Sequence, residues 1–111
     1  MDNQKFEIIL DSLLKRSEEG NLDWKATANP CVYLLALKDS SISVDKYTEP
    51  IVRINFRDEK GNIIDAVKLH SSEKNFEKVN QIFDLARRKA TNADETIDSI
   101  LKQLNPDSIA A

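Results

Sequence analysis

The sequence predicts a small α+β protein built as a two-layer sandwich: an N-terminal helix, a four-stranded antiparallel meander, then two C-terminal helices on one sheet face. Apolar residues recur at helical spacing near the N-terminus and again after His70. Between these segments, apolar and polar residues alternate, and turn residues interrupt the alternation at short intervals. Because each element has only one apolar side, we expect helices to cover one face of the sheet and water to reach the other.

The first helix is predicted over residues 3–19, because its apolar residues fall on one side of a helix and its charged residues on the other. Gly20 follows as a residue that can close the helix with a positive φ. Residues 21–24 alternate in polarity, which predicts a short extended segment, and Asn29-Pro30 predicts a loop. The apolar side of the helix consists of Phe6, Ile9, Leu10, Leu13 and Leu14.

The four strands are predicted from residue 31 to residue 70. Residues 31–38 form the first, residues 42–45 the second, and residues 50–70 a hairpin that supplies the third and fourth. The turn at 58–61 suits a type I turn followed by a left-handed glycine, Gly61.

This turn predicts the register of the hairpin. It pairs Phe56 with Ile64 and Ile54 with Ala66, which places the apolar residues of both strands on one face. A slip of one residue would instead put Val67 opposite Ile54.

Two helices follow the hairpin. Ser71 or Ser72 is expected to cap the first of them, and Asn92 with Glu95 has the spacing of a capping box at the start of the second. Pro106 ends the second helix, and we expect the tail 106–111 to be frayed. The two apolar stripes are Phe76, Val79, Ile82, Phe83, Ala86 and Ala90, and then Ile97, Ile100, Leu101 and Leu104.

Composition narrows the class of protein. A length of 111 residues predicts one domain, 1–111, and 41% hydrophobic with 32% charged residues is typical of globular proteins. A net charge of −3 gives no global attraction to nucleic acid or to anionic lipid. The longest apolar run, 32–37, is too short for a membrane span, and the chain starts without a signal-like segment. With a single cysteine, the fold needs no disulfide, so we expect a cytoplasmic protein that does not bind membranes.

Residues able to carry out catalysis are few. His70 and Cys31 are the only histidine and cysteine, and a structural role is favoured for both, with Cys31 as a buried, inert thiol. One histidine and one cysteine fall short of a structural zinc site, and two glycines cannot form a glycine-rich phosphate loop. We therefore expect no catalytic residue, no metal and no cofactor, and a protein that is not an enzyme.

The open sheet face is the main candidate for binding. In the predicted register, Arg53, Asn55 and Arg57 project from it together with Asp65 and Val67. A solvated face with a cross-strand ion pair is the favoured interpretation. The alternative is a polar docking surface whose arginines bind a partner's carboxylates.

Three further residues have two interpretations each. Arg87 and Arg88 lie in the densest basic run, where they either complement a helix C-terminus or bind phosphate, and the first role is favoured. Trp24 either closes the core or, if partly exposed, marks a contact site.

Three short motifs resemble a widespread family of small bacterial domains. They are Ser17-x-x-Gly20-x-Leu22-x-Trp24, the hairpin turn 57–61, and Ile82-Phe83-x-Leu85-Ala86-Arg87-Arg88. The resemblance implies a bacterial origin and an α+β fold with a β-meander and two C-terminal helices. Phe83 stands where the family has tyrosine, so no role of that hydroxyl carries over, and the resemblance implies no activity.

The expected function is therefore a non-enzymatic protein-binding or regulatory module, acting on a protein partner or by self-association as a dimer. The alternative is an anion, nucleotide or nucleic-acid binder that uses Arg53, Arg57 and the basic helix end. Nucleic acid is the less expected partner, because the chain is acidic overall.

Overall fold

A computed structural model of the protein describes residues 2–105. The elements are α1 (Asn3–Glu18), β1 (Lys25–Ala26), β2 (Val32–Ala36), β3 (Ser41–Thr48), β4 (Ile51–Arg57), β5 (Ile63–His70), α2 (Phe76–Thr91) and α3 (Ala93–Leu104). The strands form one antiparallel sheet in the order β1-β2-β3-β4-β5. The α+β class is thus confirmed, with five strands instead of four. The additional strand is the two-residue β1, which follows the segment predicted to be extended. The tail 106–111, predicted to be frayed, lies outside the described residues.

The core lies between one face of the sheet and the pair α1 and α2. Phe6 of α1 meets Phe56 of β4 edge-on with ring centroids 6.5 Å apart, and Phe83 of α2 meets Tyr33 of β2 at 5.5 Å. The apolar strand residues alternate with polar ones and share the register of their neighbours, so they lie on this same face of the sheet. There α1 and α2 cover them, and they are buried. They include Leu35, Ile42, Val44, Val52, Ile54 and Leu69.

Helix α1 follows its sequence signals closely. The Asp2 carboxylate accepts the Gln4 backbone N–H at 2.7 Å, and Gly20 has the predicted positive φ, +74°.

None of the helices within residues 2–105 has the length and apolar character needed to cross a bilayer.

The register of the β4–β5 hairpin differs from the prediction. The turn itself is as predicted: the Asp58 N–H donates to the Asn62 carbonyl at 2.9 Å, and Gly61 has φ +86°. A bulge then adds one residue to β5, so Arg57 pairs with Ile63 but Phe56 pairs with Asp65.

The bulge reverses the two faces of β5. Ile54 pairs with Val67, so Val67 and Leu69 turn toward the core, whereas Ile64 is 67% exposed. The predicted pairs, Phe56 with Ile64 and Ile54 with Ala66, are therefore wrong, and the slipped register is the observed one.

The start of α2 and the position of α3 also differ from expectation. Helix α2 begins at Phe76 after Asn75, which has φ 73°, so neither Ser71 nor Ser72 caps it. Asn92 joins α2 to α3 with φ 51°, and its side chain makes no capping hydrogen bond.

Helix α3 does not lie on the sheet as predicted; within residues 2–105 it packs mainly against α2, and none of its residues is buried. The molecule measures 54 × 33 × 24 Å with a radius of gyration of 16.1 Å, against about 13 Å for a compact chain of this length. A helix that projects from the body accounts for this elongation.

Candidate functional site

Three surfaces of the protein are candidates for function. The polar face is the helix-free side of the sheet around Ser43, Asp45, Arg53, Asn55 and Arg57. The α3 stripe is Ile97, Ile100, Leu101 and Leu104. The α1 groove lies between α1 and the sheet, lined among others by Ile8, Ile9, Leu13, Leu37, Phe56 and Ile64.

Asn55 lies at the centre of the polar face and is only 2% exposed. Its Nδ2 donates to Ser43 Oγ at 3.2 Å and to Asp45 Oδ2 at 3.0 Å. Arg53 Nε donates to the same Asp45 oxygen at 3.1 Å. Asn55 Oδ1 has no hydrogen-bond partner among the described residues. The four side chains form a network that links β3 to β4 and supplies the buried Asp45 carboxylate with the donors that it needs.

The two arginines of the polar face are held by contacts within the chain. The Arg53 guanidinium also lies 5.8 Å from the ring centroid of Tyr47. Arg57 donates from Nη1 to the Gly61 carbonyl at 3.1 Å and from Nε to Ser43 Oγ at 3.4 Å. Arg53 thus links β4 to β3, and Arg57 links β4 to β3 and to the hairpin turn, so both arginines stabilise the fold apart from any ligand.

Asp65 does not join this surface. The bulge pairs it with Phe56, which places it on the helix-covered side, at the margin of the α1 groove. Ala66 and Lys68 occupy the polar face instead, opposite Asn55 and Arg53. The expected projection of Asp65 beside the arginines is therefore wrong, and the ion pair of this face runs from Arg53 to Asp45 on β3.

Arg87 and Arg88 both bind Asp84. Arg87 Nη2 lies 2.7 Å from Asp84 Oδ1, and Arg88 Nε lies 3.3 Å from Asp84 Oδ2. The hydrogen bond from Arg87, together with the charges of both guanidinium groups, lowers the pKa of Asp84. Arg88 Nη1 also reaches Asp94 Oδ1 at 2.8 Å, which links the end of α2 to the first turn of α3.

The remaining candidates have structural surroundings. Trp24 is 1% exposed, and its Nε1–H donates to Ser17 Oγ at 3.0 Å, which places the ring in the core. His70 is exposed at the end of β5, with its backbone N–H on the Glu73 carboxylate. Cys31 is half-buried in the loop before β2, whereas full burial was expected. Within residues 2–105, no three His, Cys, Asp or Glu side chains are grouped to hold a metal.

The apolar residues of the α3 stripe are unusually exposed. Its four side chains are between 44% and 72% exposed, although they follow the i, i+3, i+4, i+7 spacing of a helix face meant for contact. The sequence identifies this stripe but places it on the sheet, because apolar spacing does not say which surface a helix will meet.

The α1 groove is the surface that sequence reasoning missed. It has a volume of about 550 Å³ and lies on the flank of α1 opposite α2. Helix α1 contributes Ile8, Ile9 and Leu13 to it, and the ends of the two β-hairpins contribute Leu37 and Ile64. These residues are far apart in sequence, and the position of Ile64 depends on the bulge.

No protein-family model matches this chain, and neither a curated protein nor a solved structure proves similar to it. The resemblance to a small bacterial domain family therefore stays a prediction.

Proposed function

We propose that the protein is a non-enzymatic protein-binding module and that α3 is its contact element. The observation that carries this proposal is the exposure of all four residues of the α3 stripe. Large apolar side chains gathered on one surface are typical of interaction sites, whereas single exposed apolar residues are ordinary.

The stability of α3 supports the same proposal. An isolated helix of 12 residues is marginal in water, and most helices gain their stability from packing an apolar face. Helix α3 buries no residue within the described chain and is attached through α2 and the Arg88–Asp94 ion pair. A surface that covers the stripe would therefore order α3 as well as bind it.

The stripe supplies part of the free energy that association needs. Its exposed fractions together equal about two whole Leu or Ile side chains. Burying that surface is favourable by about 3–6 kcal/mol, at about 1.5–3 kcal/mol for each fully buried side chain. One stripe on its own supports weak binding, and tighter binding needs additional contacts.

The alternative, an anion or nucleic-acid binder, has less support. Arg53, Arg87 and Arg88 each pair with a carboxylate of the same chain, and Arg57 donates to a turn carbonyl. A phosphate ligand would have to displace these contacts.

Site-specific photo-crosslinking in the source cells tests the proposal. A photoreactive residue at position 100, inside the stripe, is expected to give covalent adducts with protein. The same residue at the exposed Lys68 on the polar face serves as the control. Ile97→Gln with Leu104→Gln should abolish the adducts, because glutamine keeps helix propensity but removes the apolar surface. Equal yields at positions 100 and 68, or adducts that persist in the double variant, would refute α3 as the contact element.

A further inference from the structure

We propose that the α1 groove is the receptor for α3, and that the helix it receives belongs to a second copy of this chain. Two copies would then exchange α3 reciprocally, each stripe lying in the other's groove. This inference rests on the proposed function, since it names the partner of the same α3 stripe.

The stripe and the groove have matching lengths. From Ile97 to Leu104 the stripe extends about 10 Å along α3, at 1.5 Å per residue. The wall that α1 gives to the groove extends from Ile8 to Arg16, about 12 Å. The opposite wall is formed by the ends of the two hairpins, at Leu37 and Ile64. An amphipathic helix that inserts its apolar face into such a groove is a recurrent mode of protein recognition.

One cation at the groove complements carboxylates of α3. Arg16 lines the groove and forms no ion pair within residues 2–105, whereas Arg57 donates to the Gly61 carbonyl and the Asp65 carboxylate also lies at the groove margin. In the N-terminal half of α3, Asp94 is bound by Arg88, which leaves the carboxylates of Glu95 and Asp98. The groove therefore offers Arg16 to the end of α3 that carries these carboxylates.

The structure places α3 away from the groove of its own molecule. Lys74, just before α2, and Lys78 of α2 form ion pairs with Glu7 and Asp11, which places α2 on one flank of α1 and the groove on the other. Helix α3 contacts α2, and the Arg88–Asp94 ion pair holds the turn at Asn92 between the two helices. The groove is therefore left without the α3 of the same molecule, and the α3 of a second molecule can occupy it.

Reciprocal exchange doubles the contact area. One stripe exposes the equivalent of about two whole Leu or Ile residues, which on its own makes only a small contact. Two such contacts related by a two-fold axis bury twice that surface, toward about 1,600 Å², the usual size of a specific interface. A closed dimer is therefore expected in preference to a single contact.

A complementation experiment tests the inference on the full-length chain. The stripe variant is Ile100→Gln with Leu104→Gln, and the groove variant is Leu37→Glu with Ile64→Glu, all at exposed positions where folding tolerates a polar residue. Ile63→Glu is the control, because the exposure of Ile63, 52%, lies between those of Leu37 and Ile64, but Ile63 lies on the polar face opposite Arg57. Circular dichroism confirms that each variant is folded.

Sedimentation equilibrium and native mass spectrometry then measure association. The wild type and Ile63→Glu are expected to dimerise, and the dissociation constant of each double variant should rise by ~100-fold or more. A mixture of the stripe variant with a heavy-isotope groove variant should form a heterodimer more tightly than either variant self-associates. In that heterodimer, one intact α3 still meets one intact groove.

Three results would overturn the inference. These are a wild type that stays monomeric at about 1 mM, a groove variant that dimerises like the wild type, or a mixture without heterodimer. A wild-type monomer that still gives stripe-dependent adducts from position 100 would refute exchange between copies and leave the proposed function standing. The absence of those adducts refutes the proposed function separately.

Discussion

The substitution Asn55→Asp tests whether the polar face is a structural network. Asn55 Nδ2 donates to Asp45 Oδ2 over 3.0 Å in a position that is 2% exposed. Aspartate has nearly the same shape as asparagine but replaces this donor with a second carboxylate oxygen. The substitution therefore turns an attraction into a repulsion without changing the packing.

The distance sets the size of the effect. Two unit charges 3.0 Å apart repel by about 5–6 kcal/mol at an effective dielectric constant of about 20. Protonating a carboxyl group of ordinary pKa at pH 7 costs about 4 kcal/mol, which is less than the repulsion. The folded variant therefore binds a proton, and the cost of protonation is the upper limit of the stability that it loses. The Arg53 guanidinium offsets part of it, so we expect the free energy of unfolding to fall by about 2–4 kcal/mol.

The pH dependence follows from this proton. Because the folded variant binds a proton that the unfolded chain releases at pH 7, its stability relative to the wild type falls as pH rises. On acidification from pH 7 toward about pH 4, the difference should shrink by up to about 1.4 kcal/mol per pH unit. Urea titrations followed by circular dichroism at several pH values measure both quantities.

A charge swap is the matched control. Asp45→Asn combined with Asn55→Asp keeps one amide and one carboxylate at the same two positions, so at least half of the lost stability should return. If Asn55→Asp costs less than about 1 kcal/mol at pH 7 and the difference does not change with pH, the reasoning is refuted, because the two side chains are then not held together.

Other predictions concern single contacts. Arg87 holds the pKa of Asp84 below its ordinary value, so the pair stabilises the fold above about pH 4 and the contribution disappears as pH falls through the lowered pKa. Because that carboxylate is half-exposed, Asp84→Asn should cost less than about 1 kcal/mol at pH 7 and nothing near pH 2, by urea titration. Leu69→Ala should cost about 2–4 kcal/mol and Ile64→Ala at most about 0.5 kcal/mol in dilute solution, and the opposite order would contradict the observed register. Trp24→Ala should cost about 3–5 kcal/mol by the same titration, and a loss below 1 kcal/mol would contradict its burial.

Local signals in the sequence predicted local structure well. The stripe of α1 and Gly20 after it determine that helix, since spacing and a positive φ depend on few distant residues. The turn at 58–61 and its left-handed Gly61 were predicted for the same reason. The register beyond the turn was not, because a bulge changes the pairing without changing the turn residues. The apolar pattern at Val67 and Leu69 was the available signal, since it fits the core only when one residue is inserted.

Tertiary placement was harder to predict, and the candidate sites show why. Arg53 and Asn55 were identified from alternation, but their partner Asp45 lies on β3, and no sequence rule pairs it with them. The capping box at Asn92 fails because that residue takes a left-handed conformation in the sharp turn between α2 and α3. That turn directs α3 away from the sheet. The apolar stripe of α3 was therefore predicted correctly, but the prediction that the stripe packs on the sheet was wrong.

The distribution of apolar surface connects the groove with α3. On the polar face, a network of Ser43, Asp45 and Asn55 allows the sheet to remain without a covering helix. Exposed apolar clusters are instead found on α3 and in the α1 groove, and the two clusters have similar lengths. A domain of this size has little apolar surface to leave unburied, because its stability is a small difference between large opposing terms. One reciprocal interface would bury both clusters at once, whereas an unrelated partner on α3 would leave the groove unexplained.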